Sequence, residues 1–256
     1  MNRRDFSLRL LSGEVLASSA RDATAAAAPV RNIVLVHGAY ADGSSWAGVT
    51  ALLQAAGYKV SSVQNPLTSL ADDVAATRRI LALQDGPTIL VGHSWAGAVI
   101  SEAGMDPKVA GLVYVAARAP DAGEDFGALA AKYPAPPASA GVVKSGGFAQ
   151  LGEEAFLRDF AGDLPPDRAR VLYAAQGRIS ETLPASRTTA AAWHAKPCWY
   201  AVSTQDRTVN PDLQRFVAKR MNATTIEIES GHLSLISHPL EIANLIESAA
   251  SGAAAR

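Results

Sequence analysis

A short β-branched, apolar run, Thr88-Ile89-Leu90-Val91-Gly92, ends in His93-Ser94-Trp95-Ala96-Gly97, and an Ala-rich helical pattern starts at once. That succession predicts a strand, a tight turn and a helix with Ser94 at the apex of the turn. A serine held there projects from the carboxyl end of a parallel strand. The helix behind it directs backbone N–H groups at whatever the hydroxyl attacks. Gly92 and Ala96 flank the serine where strand and helix backbones come closest. The usual motif carries glycine at position 96, and alanine is one methyl group larger. The competing reading is a buried strand followed by a small-residue turn that merely contains a serine.

The remaining chain decides between the two. Residues 33–36 (Ile-Val-Leu-Val) form a continuous apolar run of strand length, as a parallel strand covered on both faces requires. A helical pattern follows over 46–57, then a strand over 58–63, a helix over 70–83, the strand–turn–helix around Ser94, and a strand over 109–115. Four strands alternating with helices predict a doubly wound, mainly parallel sheet. From about 118 to 197 no clear strand is visible and prolines are frequent. A stretch this long cannot be a plain loop, so it is expected to be a helical insertion that caps the sheet's carboxyl edge. Alternation then resumes with a strand over 198–202, a helix over 211–221 opened by a proline, a strand over 224–228 and a helix over 234–248.

At 256 residues the chain suits one domain with an insertion, assigned to 29–256. A net charge of −1 gives no electrostatic reason to expect a nucleic-acid partner. No apolar run approaches the roughly 20 residues that span a bilayer, so no membrane partner is expected either. Cys198 is the only cysteine, which leaves no internal disulfide and no thiolate metal cluster; it is read as a small core residue. No metal site and no dinucleotide fingerprint is found, so no cofactor is expected. Residues 1–28 differ from the rest: Asn2-Arg3-Arg4-Asp5-Phe6 resembles a twin-arginine export signal, and Ala23-Thr24-Ala25 offers a cleavage option. Arg9 and Glu14 interrupt its apolar stretch. Export to the periplasm and an uncleaved N-terminal extension of a cytoplasmic protein both remain open.

A serine hydroxyl is a weak nucleophile until a base takes its proton, and that base needs an orienting acid. In an open parallel sheet both must lie after strand carboxyl ends. Among the five histidines, His232 follows the last strand in Glu229-Ser230-Gly231-His232 and has the position to act as base. Asp206, in the loop after 198–202, is the acid, with Asp121 in reserve and Arg207 beside it facing solvent. The order Ser94, Asp206, His232 is a known order for such triads. Donors for a developing oxyanion are expected at the N–H of Trp95 and, in the turn that ends the first strand, of Ala39. His37 is read as a structural hydrogen-bonder of that turn.

The chain resembles the α/β-hydrolase superfamily over residues 32 to about 248, and more narrowly its esterase and hydroxynitrile-lyase branch, which includes methyl esterases. The resemblance rests on Val36-His37-Gly38-Ala39, on Leu52-Leu53-Gln54-Ala55-Ala56-Gly57-Tyr58-Lys59-Val60 and on Gly92-His93-Ser94-Trp95-Ala96-Gly97. It continues in Gln205-Asp206-Arg207 with Pro211, and in Gly231-His232 with Ser237 and Pro239. It implies a Ser-His-Asp hydrolase acting on carboxylic esters through an acyl-enzyme. Cyanohydrin lyases of the branch place a lysine directly after the histidine; Leu233 stands there instead, against lyase chemistry. The alternatives the fold allows are such a lyase and a ligand receptor with vestigial hydrolysis. Tyr40, Trp95, Leu233 and the insertion are expected to form an apolar pocket for a small-molecule ester, favouring uncharged over charged substrates.

Overall fold

In the computed structural model, residues 29–254 are described; the export-signal reading of 1–28 lies outside them. The first strand, β1 (Asn32–Val36), is buried along its whole length. α1 (Ala47–Ala55) follows a one-turn 3-10 segment, and Gly57, at φ +88°, releases the chain into β2 (Lys59–Val63). The next helix, α2 (Leu70–Ala82), is capped by Ser69, whose hydroxyl accepts from the Asp72 N–H at 3.0 Å. β3 (Thr88–His93), α3 (Ala96–Ala103) and β4 (Val109–Val115) complete the first half.

Between β4 and the next sheet strand the chain leaves the sheet. This insertion carries short helices, α4 (Phe126–Ala130), α5 (Glu153–Ala155) with a π-helical turn over Phe156–Phe160, and α6 (Pro166–Ala174). It also holds what the sequence reading overlooked, a small antiparallel sheet of β5 (Val142–Ser145), β6 (Phe148–Leu151) and β7 (Ile179–Ser180). β5 and β6 form a hairpin around Gly146 and Gly147, both at positive φ, as a tight two-residue connection requires.

The main sheet resumes with β8 (Cys198–Ser203), α7 (Pro211–Arg220) and β9 (Thr224–Ile228). The carboxy-terminal helical pattern is broken in two, α8 (Ser234–Ser237) and α9 (Pro239–Ala254). His238, at φ −130° and ψ 53°, is forced off helical geometry because the ring of Pro239 crowds the residue before it. Among the described residues no helix is long and apolar enough to cross a membrane.

The six main strands run in the order β2-β1-β3-β4-β8-β9, every pair parallel. Side chains of β1 alternate between two cores: Val34 and Val36 join Val74, Leu81, Val99 and Leu213 on one face, while Ile33 and Leu35 join Val49, Leu53, Ile242 and Ile246 on the other. Each fully buried aliphatic side chain contributes about 1.5–3 kcal/mol. The chain reverses its direction of growth between β1 and β3, which are neighbours with Val36 opposite Gly92. A crevice at such a reversal, outside the carboxyl ends of the strands, is where this architecture binds ligands.

Candidate active site

Ser94 stands on that reversal, at φ +54°. Non-glycine residues rarely adopt this conformation, so the turn has to be held from outside. It is held on both sides: the Ser94 N–H donates to the Val115 carbonyl at 3.0 Å, and the Ser94 carbonyl accepts from the N–H of Gly97 (3.1 Å) and of Arg118 (3.0 Å). A β-carbon on Gly92 would lie 2.8 Å from the Ala96 carbonyl oxygen, and one on Gly38 would lie 2.8 Å from the Ser94 β-carbon. Both glycines are therefore imposed by close approach of backbones around the serine. The alanine at 96 fits because its own β-carbon is not part of that contact.

The Ser94 hydroxyl donates to Nε2 of His232 at 2.9 Å, and Nδ1–H of His232 donates to Oδ2 of Asp206 at 2.7 Å. His232 and Asp206 lie in the loops after β9 and β8, both buried. Asp206 is fully used as an acceptor. Oδ1 takes the N–H groups of Thr208 (2.7 Å) and Val209 (2.9 Å), and Oδ2 takes the Gln214 amide (2.7 Å) besides His232. The reserve carboxylate, Asp121, pairs instead with the exposed His194 at 3.1 Å, away from this chain.

Ala39 and Trp95 both line the cavity beside Ser94, and neither backbone N–H has an acceptor among the described residues. The turn that carries Ala39 is set by His37. Its Nδ1–H donates to the Gly38 carbonyl (2.8 Å) and its Nε2 accepts from the Asn65 N–H (2.9 Å), while burial holds the ring below its ordinary pKa. The ring is thus a neutral, structural hydrogen-bonder. Tyr40, next in the turn, is held at φ +60° and meets Phe160 of the insertion edge-on at 6.1 Å. Trp95 donates its indole N–H to Asp73 at 2.8 Å, a buried carboxylate that also caps the Leu67 N–H. Burial pushes the Asp73 carboxyl above its ordinary range, and those two hydrogen bonds oppose the shift.

The cavity, about 310 Å³, is lined on the insertion side by Phe126, Leu151, Phe160, Ile179 and Leu183. Tyr40 and Trp95 line it as expected, but Leu233 does not. Leu233 opens α8 with its side chain buried beside Ile236 and Phe160, in a smaller cleft next to the Ser94 cavity. Arg207 is exposed, as expected, and it also donates to the buried carboxylate of Asp159 at 2.7 Å. Cys198 is a buried core thiol, its pKa pushed up to about 12 by burial.

Two residues of the site, Asp163 and Arg118, escape the sequence reading, and a third, His93, is set aside in it as pointing away from Ser94. His93, immediately before Ser94, packs its ring 4.7 Å from that of His232. Asp163, in the insertion, accepts from the Gly231 N–H (2.9 Å) and the Ser237 hydroxyl (2.7 Å), bracing the His232 loop on both sides. Arg118, three residues beyond β4, lines the cavity. Only the last carried a signal, its position just past a parallel strand's carboxyl end.

A model of the alpha/beta hydrolase family matches residues 33–245. Over 245 residues the chain is 26% identical to the alpha/beta hydrolase nvfD of Aspergillus novofumigatus, covering 86% of this chain and 97% of that one. Over 103 residues it is 39% identical to a pyrethroid hydrolase of Sphingobium wenxiniae, covering 34% of this chain and 36% of that one. Among solved structures, polyneuridine aldehyde esterase superposes with a TM-score of 0.73 at 19% identity, over 86% of this chain and 99% of that one.

Proposed function

The chain belongs to the alpha/beta hydrolase family, and on that premise we propose that it is a serine hydrolase cleaving carboxylic esters through an acyl-enzyme. The observation that carries this reading is the continuous hydrogen-bonded chain Ser94–His232–Asp206, at 2.9 and 2.7 Å. As the Ser94 oxygen attacks an ester carbonyl, its proton passes to Nε2 of His232. Asp206 keeps the other ring proton on Nδ1 and stabilises the imidazolium that forms. The carbonyl oxygen becomes an oxyanion facing the two N–H groups of Ala39 and Trp95, which have no competing acceptor to give up. Collapse expels the alcohol, which takes the proton from His232. Water then attacks the acyl-serine with His232 as base, releasing the acid and restoring the hydroxyl.

The aliphatic and aromatic lining of the cavity suits a small to medium apolar acyl or alcohol group. The test is turnover of 4-nitrophenyl esters from acetyl to octanoyl by the wild-type protein and by Ser94→Ala. The reading requires turnover that falls on the order of a thousandfold or more in the variant. Equal rates for the two proteins would remove Ser94 from the chemistry. Cleavage of a cyanohydrin without ester hydrolysis would replace the esterase by a lyase.

A further inference from the structure

Arg118 is the one arginine among the described residues that is not exposed and has no carboxylate partner; Arg220, also half-buried, is paired with Glu124. A half-buried guanidinium without a counter-charge is costly, and such groups are retained where an anion completes them. Its placement is built. The hydroxyl of the buried Tyr200 accepts from the Ala117 N–H (2.9 Å) and donates to the Ala117 carbonyl (2.6 Å), and Ala116 is bent to φ +44°. The Arg118 N–H then bonds the carbonyl of Ser94 itself. The side chain extends along the cavity wall, its guanidinium carbon 5.6 Å from the Trp95 ring and 5.5 Å from the Phe126 ring. One Nη donates to the Pro184 carbonyl at 3.1 Å. The Nε–H and the other Nη have no acceptor among the described residues, and neither is sealed from solvent.

We infer that the free Nε/Nη edge of Arg118 is a subsite for a carboxylate on the substrate, so that the preferred ester also carries a second, ionised carboxyl group. The side-on edge of a guanidinium offers two parallel N–H donors whose spacing matches the two oxygens of a carboxylate, and the charge assistance roughly doubles the strength of each bond. The Trp95 and Phe126 rings beside the guanidinium lower the local polarity, which strengthens the pairing. With Ser94 and Arg118 on one cavity of about 310 Å³, the half-ester of a short dicarboxylic acid spans both groups. This replaces the expectation of uncharged substrates, and it rests on Ser94 being the nucleophile.

The experiment compares mono-4-nitrophenyl succinate, glutarate and adipate with their neutral isosteres, in which the free carboxyl is a primary amide. For at least one chain length the wild-type kcat/KM for the acid exceeds that for the amide on the order of tenfold or more, and Arg118→Gln removes that preference. Arg118→Lys, which keeps the charge but loses the fork, retains part of it. In parallel, calorimetric titration of Ser94→Ala with the free dicarboxylates detects binding that is lost in Ser94→Ala/Arg118→Gln, with no turnover needed. Dicarboxylate binding without hydrolysis of any ester would sink the esterase reading and keep the subsite. An acid-to-amide ratio near one at every chain length, or a ratio unchanged by Arg118→Gln in a protein that melts normally, would overturn the inference. So would equal dicarboxylate binding by the two Ser94→Ala proteins.

Discussion

Nε2–H of His93 donates a 3.0 Å hydrogen bond to the backbone carbonyl of His232, tying the residue before the serine directly to the loop that carries its base. His93 is completely buried, and burial, with the neighbouring His232 ring, holds its pKa well below the ordinary value. It therefore stays neutral and adds no like charge when His232 becomes an imidazolium. His93→Leu leaves the His232 carbonyl without its donor, at a cost of about 1–3 kcal/mol in stability. The loosened loop lowers kcat by about ten- to a hundredfold with less effect on KM. Denaturant titration and steady-state kinetics read the two effects, and an unchanged kcat would reduce the bond to a structural role.

Asp206→Asn keeps the size of the side chain but offers one acceptor oxygen where four donors converge. An amide NH2 facing His232 would favour the wrong tautomer, so kcat is expected to fall by about 10⁴-fold. An asparagine variant with near-native turnover would remove Asp206 from the proton relay.

Asp159 ties the insertion to the Asp206 loop. Its buried carboxylate accepts from Arg158 (2.8 and 3.1 Å) and from Arg207 (2.7 Å), and the hydrogen bond from Arg158, with that from Arg207, lowers its pKa from the ordinary value although burial opposes this. A carboxyl whose folded pKa lies below its unfolded value stabilises the fold at pH above the unfolded pKa of about 3.9, and that stabilisation fades as pH falls through the folded pKa. Asp159→Asn should thus cost about 1–3 kcal/mol at neutral pH. The gap to wild type should narrow as the pH drops below about 4, read by chemical denaturation at several pH values. A gap independent of pH would mean that the ionised form is not what matters.

What was legible in the sequence follows from how local each signal is. The β-branched run into Gly92 and Ser94, the glycine that ends α1 and the proline that opens α7 are written in consecutive residues, and the parallel sheet with its strand-end loops follows from their alternation. Asp206 and His232 could be found because that architecture restricts where partners of Ser94 can stand. The small sheet was missed because β5, β6 and β7 span only two to four residues each, too short for a period, although Gly146-Gly147 between two such runs is a hairpin signal. Leu233 was misplaced because proximity in sequence to His232 does not set the direction of a side chain at the mouth of α8. The ties of Arg207 to Asp159 and of Gly231 to Asp163 join positions 48 and 68 residues apart, and no local pattern encodes them.

In the proposed mechanism Ser94 is an activated nucleophile and His232 is its base. The most direct measurement treats the wild-type protein and His232→Ala with an alkyl fluorophosphonate and maps the modified peptide by mass spectrometry. The Ser94–His232 pair predicts one adduct in the wild type, on the peptide containing Ser94, and a labelling rate lower on the order of a thousandfold or more in His232→Ala. An unlabelled wild type, an adduct on another residue, or equal labelling of the two proteins would contradict it.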